Sequence, residues 1–256
     1  MDRTTYDIYW QRGWGVVEGI FGRDEVDRIA ELAVTVWEQE EARTGQSQFG
    51  NVAPISDVAP DGKTPVPRKI GNPFVKHDEF ANLALDQRLV GEIESLLGGK
   101  PLLMTDQIFM KPPHHGGPKP YHQDNAYFLC HPDDHVLTAW IALDDVDELN
   151  GCLRYIDESH RGPILPHEEI PGEPYNKVPP ADLIDLSKES LAEVKKGGVV
   201  FHHSKALHTS HRNDSDRWRR GYATHWVTAD VTSDSDVLGG AYFKRADYPG
   251  RDRAIS

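Results

Sequence analysis

From about residue 101 the chain breaks into short apolar runs of strand length, and that texture limits the fold more than any other feature. The runs are "LLMTDQIFMK", "NAYFLC", "VLTAWIAL", "GCLRYI", "GGVVFHH" and "GYATHWVTAD". Turn-forming clusters separate them: "PPHHGGPKP", "HPDD", "DVDELN", "DESHRGP" and "RNDSD". Runs rich in β-branched and aromatic residues, bounded by Gly, Pro, Asn and Asp, read as strands. The N-terminal part reads differently. In "RDEVDRIAELAVTVWEQEEA" (23–42) the apolar residues Val26, Ile29, Leu32, Ala33 and Val36 recur in steps of three and four, which predicts an amphipathic helix. A second helix, broken midway and closed by Gly98–Gly99, is predicted over 78–99. Between them "SDVAPDGKTPVPRKIGNP" (56–73) reads as a long loop. Helices first and strands later predict a mainly β sandwich or barrel with helices packed outside.

Nothing resembles a flexible linker, so residues 1–256 are expected to form one domain. Its helical part would cover about 1–100 and its strand-rich core about 101–230, with a long insertion at about 163–196. Insertions of that kind often serve as lids or binding loops. At 256 residues the chain can bury a full core without disulfides. The formal charge of −13 argues against binding to a nucleic-acid backbone, which needs a basic surface. A local cluster of Arg212, Arg217, Arg219 and Arg220 could form an anion pocket inside this acidic chain. Cys130 and Cys152 stand in no metal-ligand spacing and suit a reducing cytoplasm. No secretory h-region and no apolar run of roughly 20 residues is present, so a cytoplasmic protein without membrane partners is expected.

"PKPYHQDNAYF" (118–128) carries the first chemical signal. On a strand, residues i and i+2 share a face, so His122 and Asp124 would project together and suit a divalent metal. A pair this short also describes two unrelated polar side chains, and a third ligand is needed. His208 in "KALHTSHRNDSDRWRRGYATHW" is the best candidate. If "RNDS" turns a hairpin centred between Asn213 and Asp214, His208 and Arg219 are equidistant from the centre and share a face with Ser210. Arg220 would point outward. Arg219 alone equally describes a surface residue, but inward it would need an anion, and its planar fork matches a carboxylate. Two His, one carboxylate and open positions form the arrangement of non-haem Fe(II) oxygenases.

These residues resemble the phytanoyl-CoA dioxygenase family of Fe(II)- and 2-oxoglutarate-dependent oxygenases. The resemblance runs in order through "QIFMKPP" (107–113), "HQD" (122–124), "AWIALDDVDELNGCLRYIDESH" (139–160), "GGVVFHHSKALHTSHRN" (197–213) and "RWRRGYATHW" (217–226). It implies a double-stranded β-helix, the cupin-like jelly roll, with flanking α-helices. It also implies Fe(II) on His122, Asp124 and His208, and 2-oxoglutarate on Arg219 with Ser210 assisting and Trp140 beside it. Gln107 and Lys69 fall near positions that contact the keto acid in relatives. Consumption of O2 with release of succinate and CO2 follows. Related halogenases carry a small residue where this chain has Asp124, so hydroxylation, oxidative cyclisation or desaturation is expected instead.

For the substrate, Asn125, Tyr127 and His202 are the expected contacts. His202 and His203 replace residues that are apolar or glycine in many relatives. No basic patch suited to the phosphates of a CoA ester is evident in the sequence, which turns the expectation toward a small, polar secondary metabolite, sugar-containing ones included. A metal-dependent hydrolase using the same ligands would leave Arg219 without purpose, and a non-catalytic jelly-roll binding protein would turn nothing over.

Overall fold

The computed structural model describes residues 1–44, 66–171 and 173–248. The first part of the loop read at 56–73 therefore lies outside the described residues. The N-terminal elements are α1 (Arg3–Arg12), β1 (Trp14–Val17), α2 (Arg23–Thr44), β2 (Lys69–Gly71), α3 (Asp78–Ala84) and α4 (Gln87–Leu97). The helix expected over 78–99 is broken after Ala84 and recapped by Asp86, whose carboxylate accepts from the Arg88 amide. It ends at Gly98 in the left-handed region.

Next come β3 (Leu102–Lys111), β4 (Lys119–His122), α5 (Asn125–Phe128), β5 (Cys130–His131), β6 (Val136–Ala142) and β7 (Leu153–Ile156). They are followed by β8 (Glu168–Ile170), β9 (Glu173–Val178), β10 (Glu189–Ala192), β11 (Val199–His203), β12 (His208–Ser210), β13 (Arg219–Val227) and β14 (Thr232–Ser233). A larger antiparallel sheet has the order β1-β11-β6-β13-β3-β2, and a smaller one β10-β7-β12-β4. The consecutive strands β10, β11, β12 and β13 alternate between these sheets, which is the mainly β jelly roll with flanking helices. No helix among the described residues is long and apolar enough to cross a membrane.

The period of two along a strand sorts the side chains. On β13, Tyr222 and Trp226 turn outward into the apolar layer under the helices, beside Phe80, Leu89 and Ile93. Arg219, Ala223 and His225 turn inward and line a cavity between the sheets. Trp14, Trp140, Ala142, Tyr155, Val200 and Ala223 pack as the apolar part of that interior. Gly221 shares the inward face, where an added Cβ would lie 1.8 Å from Cζ2 of Trp140. Only glycine lets the indole lie flat there.

Two local expectations are corrected. "NAYFLC" does not continue a strand: Asn125–Phe128 is a helical turn. Asn125 accepts from the Cys130 amide at 2.8 Å and donates to its carbonyl at 3.0 Å, which closes the turn. His208 and Arg219 do not face each other across a hairpin. β12 pairs with β4 and β7, whereas β13 pairs with β3 and β6. The "RNDS" segment carries the chain from one sheet to the other. Asn213 holds that crossing by donating to the carbonyls of Lys111, Pro112 and Arg217.

The helical layer and the C-terminal segment both meet the larger sheet at Asp106, which is fully buried on β3. Its carboxylate accepts from the Phe74 amide at 2.8 Å and from the Tyr222 and Tyr242 hydroxyls at 2.5 Å. Asp106→Ala leaves these donors unpaired, and we expect it to cost about 3–5 kcal/mol in urea unfolding. A loss under about 1 kcal/mol would show that this junction does not hold the layers together.

Candidate active site

His122 ends β4, Asp124 stands at the N-cap of α5 and His208 begins β12, directly opposite His122 in the ladder. Asp124 has helical backbone angles (φ −57, ψ −39), so the strand parity that paired it with His122 does not apply. The bend at Gln123 brings its carboxylate back to the same point. One ligand atom from each of His122, Asp124 and His208 lies within 4.8 Å of the others, and all three residues are buried.

The hydrogen bonds around these residues decide which atoms are left for a metal. His122 Nδ1 meets the Pro120 carbonyl at 2.9 Å and His208 Nδ1 meets the Ala206 carbonyl at 2.9 Å. A carbonyl only accepts, so each Nδ1 carries the proton and each Nε2 presents a lone pair. These Nε2 atoms stand 3.7 and 3.8 Å from Asp124 Oδ1. Burial, with His208 and Lys119 adding, pushes His122 well below its ordinary value. Burial, with His202 adding, lowers His208 to about 4. Both rings are neutral at pH 7, as metal ligation requires. Burial alone would raise Asp124, but the His202 hydrogen bond and the surrounding imidazoles hold it well below the usual carboxylate range.

Asp124 Oδ2 is committed elsewhere. It accepts from the Thr138 hydroxyl at 2.7 Å and from His202 Nε2 at 3.0 Å. His202 Nδ1 in turn accepts from the Tyr155 hydroxyl at 2.8 Å. Thr138 has spent its proton on Asp124, so His225 Nδ1 must donate to Thr138 Oγ1, at 2.8 Å. His225 Nε2 is then a buried acceptor with no protein partner. The chain Tyr155–His202–Asp124–Thr138–His225 fixes one carboxylate oxygen and leaves Oδ1 facing the imidazoles. The donor set, tautomers and free Oδ1 fit a divalent iron with positions open to other ligands.

Arg219 lies 2% exposed with its Nε and one terminal nitrogen unpartnered. Burial lowers it to about 10. The other members of the arginine cluster form no pocket, since each has a carboxylate: Arg212 Asp214, Arg217 Asp147 and Arg220 Asp144. Trp140 lies under the Arg219 guanidinium at 4.7 Å. Lys111 is paired with Arg219 across the ladder and donates to Ser210 Oγ at 3.0 Å. Arg219, Lys111 and Ser210 therefore gather beside Trp140 on one wall of the cavity. Gln107 and Lys69 also line the cavity, whose volume is about 410 Å³.

Of the expected substrate contacts, Tyr127 and His202 line the cavity. The Tyr127 hydroxyl accepts from the Lys177 amide at 2.9 Å, and both nitrogens of His202 are occupied within the network. Asn125 is fully buried with its amide spent on Cys130, so it is not a contact. Its place is structural. Lys111, Thr138 and Tyr155 were missed. Strand parity had the signal for two of them: Gln107 inward implies Lys111 inward, and Trp140 implies Thr138. The missing basic patch also exists. Arg68, Lys69, Lys111, Lys119, Lys177 and Arg219 all line the cavity, gathered from segments far apart in the chain.

The phytanoyl-CoA dioxygenase (PhyH) family profile matches residues 9–221. The chain belongs to that family, and with it to the iron- and 2-oxoglutarate-dependent dioxygenases. It is 25% identical over 233 residues to the peroxisomal phytanoyl-CoA dioxygenase of Rattus norvegicus, covering 87% of this chain and 67% of the relative. A probable alpha-ketoglutarate-dependent hypophosphite dioxygenase of Stutzerimonas stutzeri is 28% identical over 234 residues, covering 87% of this chain and 77% of the relative. Among solved structures, the non-heme alpha ketoglutarate dependent carbocyclase SnoK from nogalamycin biosynthesis shares the fold. The TM-score is 0.71 at 24% identity, over 92% of this chain and 88% of that one.

Replacing His202 by Phe removes one of two donors to Asp124 Oδ2 and should lower Mn(II) affinity about ten- to hundredfold. Competition with a chelating dye measures this directly. Unchanged affinity would show that Thr138 alone orients the carboxylate.

Proposed function

We propose that the protein oxidises a small, polar secondary metabolite, hydroxylating or oxidatively cyclising it. The proposal takes residues 1–256 as one oxygenase domain. His122, Asp124 Oδ1 and His208 would hold the iron, and Arg219 with Lys111 and Ser210 would hold the distal carboxylate of 2-oxoglutarate. Gln107 and Lys69 line the same cavity and serve the keto acid end. Bound iron with the keto acid supplies the oxidising power of O2, one oxygen atom leaving in succinate as CO2 is released and the other available to the substrate.

The observation that carries the reading is the unpartnered, buried guanidinium of Arg219 in the same cavity as the three ligands. A buried cation without an anion is costly, and a dicarboxylate reaching from the metal to Arg219 removes that cost. A hydrolase would need neither the guanidinium nor the lysine beside it. Trp140 and Gly221 close the wall behind the keto acid and keep water from it. His202 and Thr138 keep Asp124 oriented through the reaction, and neither needs to move a proton. Structural neighbours such as the SnoK carbocyclase, which comes from nogalamycin biosynthesis, support a natural-product substrate and keep ring closure beside hydroxylation.

The test is an anaerobic titration of Fe(II)-loaded protein with 2-oxoglutarate, followed by visible absorption. A weak visible band that saturates is expected. Arg219→Ala should weaken the keto acid by roughly 2–4 kcal/mol, about thirty- to a thousandfold. Arg220→Ala should leave its affinity within about threefold, because Arg220 faces Asp144 and the α2 carbonyl of Ala30 on the other side of the sheet. Equal losses in the two variants, or no band in folded, iron-loaded protein, would overturn the assignment.

A further inference from the structure

The strand that delivers His122 is the edge of the smaller sheet, whose order is β10-β7-β12-β4. An edge strand leaves one row of backbone groups without a partner in its own sheet. Here β8 and β9, from the insertion, pair with each other and join neither main sheet, and β9 lies against β4. The insertion therefore covers the edge that carries a metal ligand.

Gln123 is where the two meet. It stands between His122 and Asp124 and is only 1% exposed. Its Oε1 accepts from the Leu165 amide at 2.7 Å. Its Nε2 donates to the Lys205 carbonyl at 2.8 Å and to the Pro163 carbonyl at 3.3 Å. The Gln123 amide donates to His167 Nε2 at 3.1 Å. That nitrogen can accept because His167 Nδ1 donates to the Leu165 carbonyl at 2.7 Å. Burial lowers His167 from its ordinary value, which favours the neutral ring that this bond requires.

None of these bonds involves a ligand side chain, so Gln123 acts through the backbone. It joins three pieces of chain: the bend from His122 to Asp124, the approach to His208 at Lys205, and the start of the insertion. The neighbouring Ser204 carbonyl accepts from the Asn125 amide at 2.9 Å, a second tie between the bend and that approach. The insertion also grips the chain on both sides of the bend. Asn176 accepts from Lys119 Nζ at 2.6 Å, and the Lys177 amide donates to the Tyr127 hydroxyl at 2.9 Å. Bonds within the smaller sheet set His122 opposite His208, but the position of Asp124 relative to both depends on a bend held from outside the sheet.

We propose that Gln123 is a positioning residue that couples the insertion to the metal site. Residues 163–167, bonded through it, set the spacing of the three ligands. Metal binding and the seating of this segment then stabilise each other, and the linkage is reciprocal: whatever loosens the segment weakens the metal by the factor by which the metal tightens the segment. This rests on the reading of His122, Asp124 and His208 as the metal ligands.

Two measurements on the full chain test it. Mn(II) affinity is read by competition with a chelating dye, and amide hydrogen exchange is followed with and without Mn(II). In the wild-type protein Mn(II) should slow exchange at Ile164, Leu165 and His167 by about fivefold or more. Gln123→Ala should weaken Mn(II) about five- to hundredfold and abolish that slowing. His167→Ala removes one acceptor from a half-buried site and leaves Gln123 in place, so it tests the coupling even if Gln123→Ala fails to fold. It should weaken Mn(II) about threefold or more. Leu186→Ala, at an insertion residue 63% exposed, should change neither readout. A wild-type chain that binds Mn(II) but exchanges these amides at the same rate with and without it would overturn the proposal and leave the metal reading standing. So would a His167→Ala variant with wild-type affinity, or an equal loss in Leu186→Ala. No saturable Mn(II) binding by the wild-type chain would overturn the metal reading, and the proposal with it.

Discussion

A carboxylate buried between two sheets has to be held on one side and open on the other if it is to bind a metal, and Asp124 meets both conditions. Its Oδ2 takes protons from Thr138 and His202, so rotation of the carboxylate would break two hydrogen bonds at once. Oδ1 remains the only atom turned to the imidazoles. The same two bonds fix a longer sequence of tautomers, from the Tyr155 hydroxyl at one end to His225 Nε2 at the other. His122 and His208 are fixed separately, by backbone carbonyls two residues before each of them. The three ligands thus present lone pairs before any metal arrives, and binding need not pay for ordering them.

The jelly roll makes this possible because its strands have two kinds of face. The larger sheet buries its outer side under helices and its inner side around the site, so every residue of β6 and most of β13 is buried. A helix layer was required by the outward Tyr222 and Trp226, and an enclosed interior by the inward Arg219 and His225. Asp106, on the outward side, ties the helical part and the C-terminal segment to the sheet through three donors. The rigidity of the inner face depends on that outer attachment.

Much of this was legible in the sequence because periodicity and residue chemistry are local. The helix over 23–42, the broken helix after 78 and the strand "LLMTDQIFMK" follow from spacing alone, and α2 and β3 appear where they were read. The inward direction of Arg219 was also reached, though by a hairpin that does not exist. His208 and Arg219 face the same cavity from different sheets, and no parity argument within one segment can see a crossing that Asn213 holds through Lys111 and Pro112. Asp124 failed the strand argument for a similar reason. The bend at Gln123 is fixed by contacts with Leu165, Pro163 and Lys205, all distant in sequence. The gathering of lysines along the cavity was not legible because they come from β2, β3, β4 and β9, each of which carries only one.

Charge segregation explains how an acidic chain contains such a cavity. Cations on outer surfaces are matched by carboxylates nearby: Arg23 by Asp145, Arg217 by Asp147, Arg220 by Asp144 and Arg154 by Glu148 and Glu189. The loop around 144–148 alone provides four of these partners. Those pairs neutralise the cations that point away from the site and leave the acidic excess on the surface. Inside, Arg219 has no such carboxylate among the described residues, and its guanidinium lies over Trp140 with Nε unpartnered. A cation held this way acts at short range, where the low-dielectric walls of the cavity strengthen its field, and not from afar through an acidic exterior.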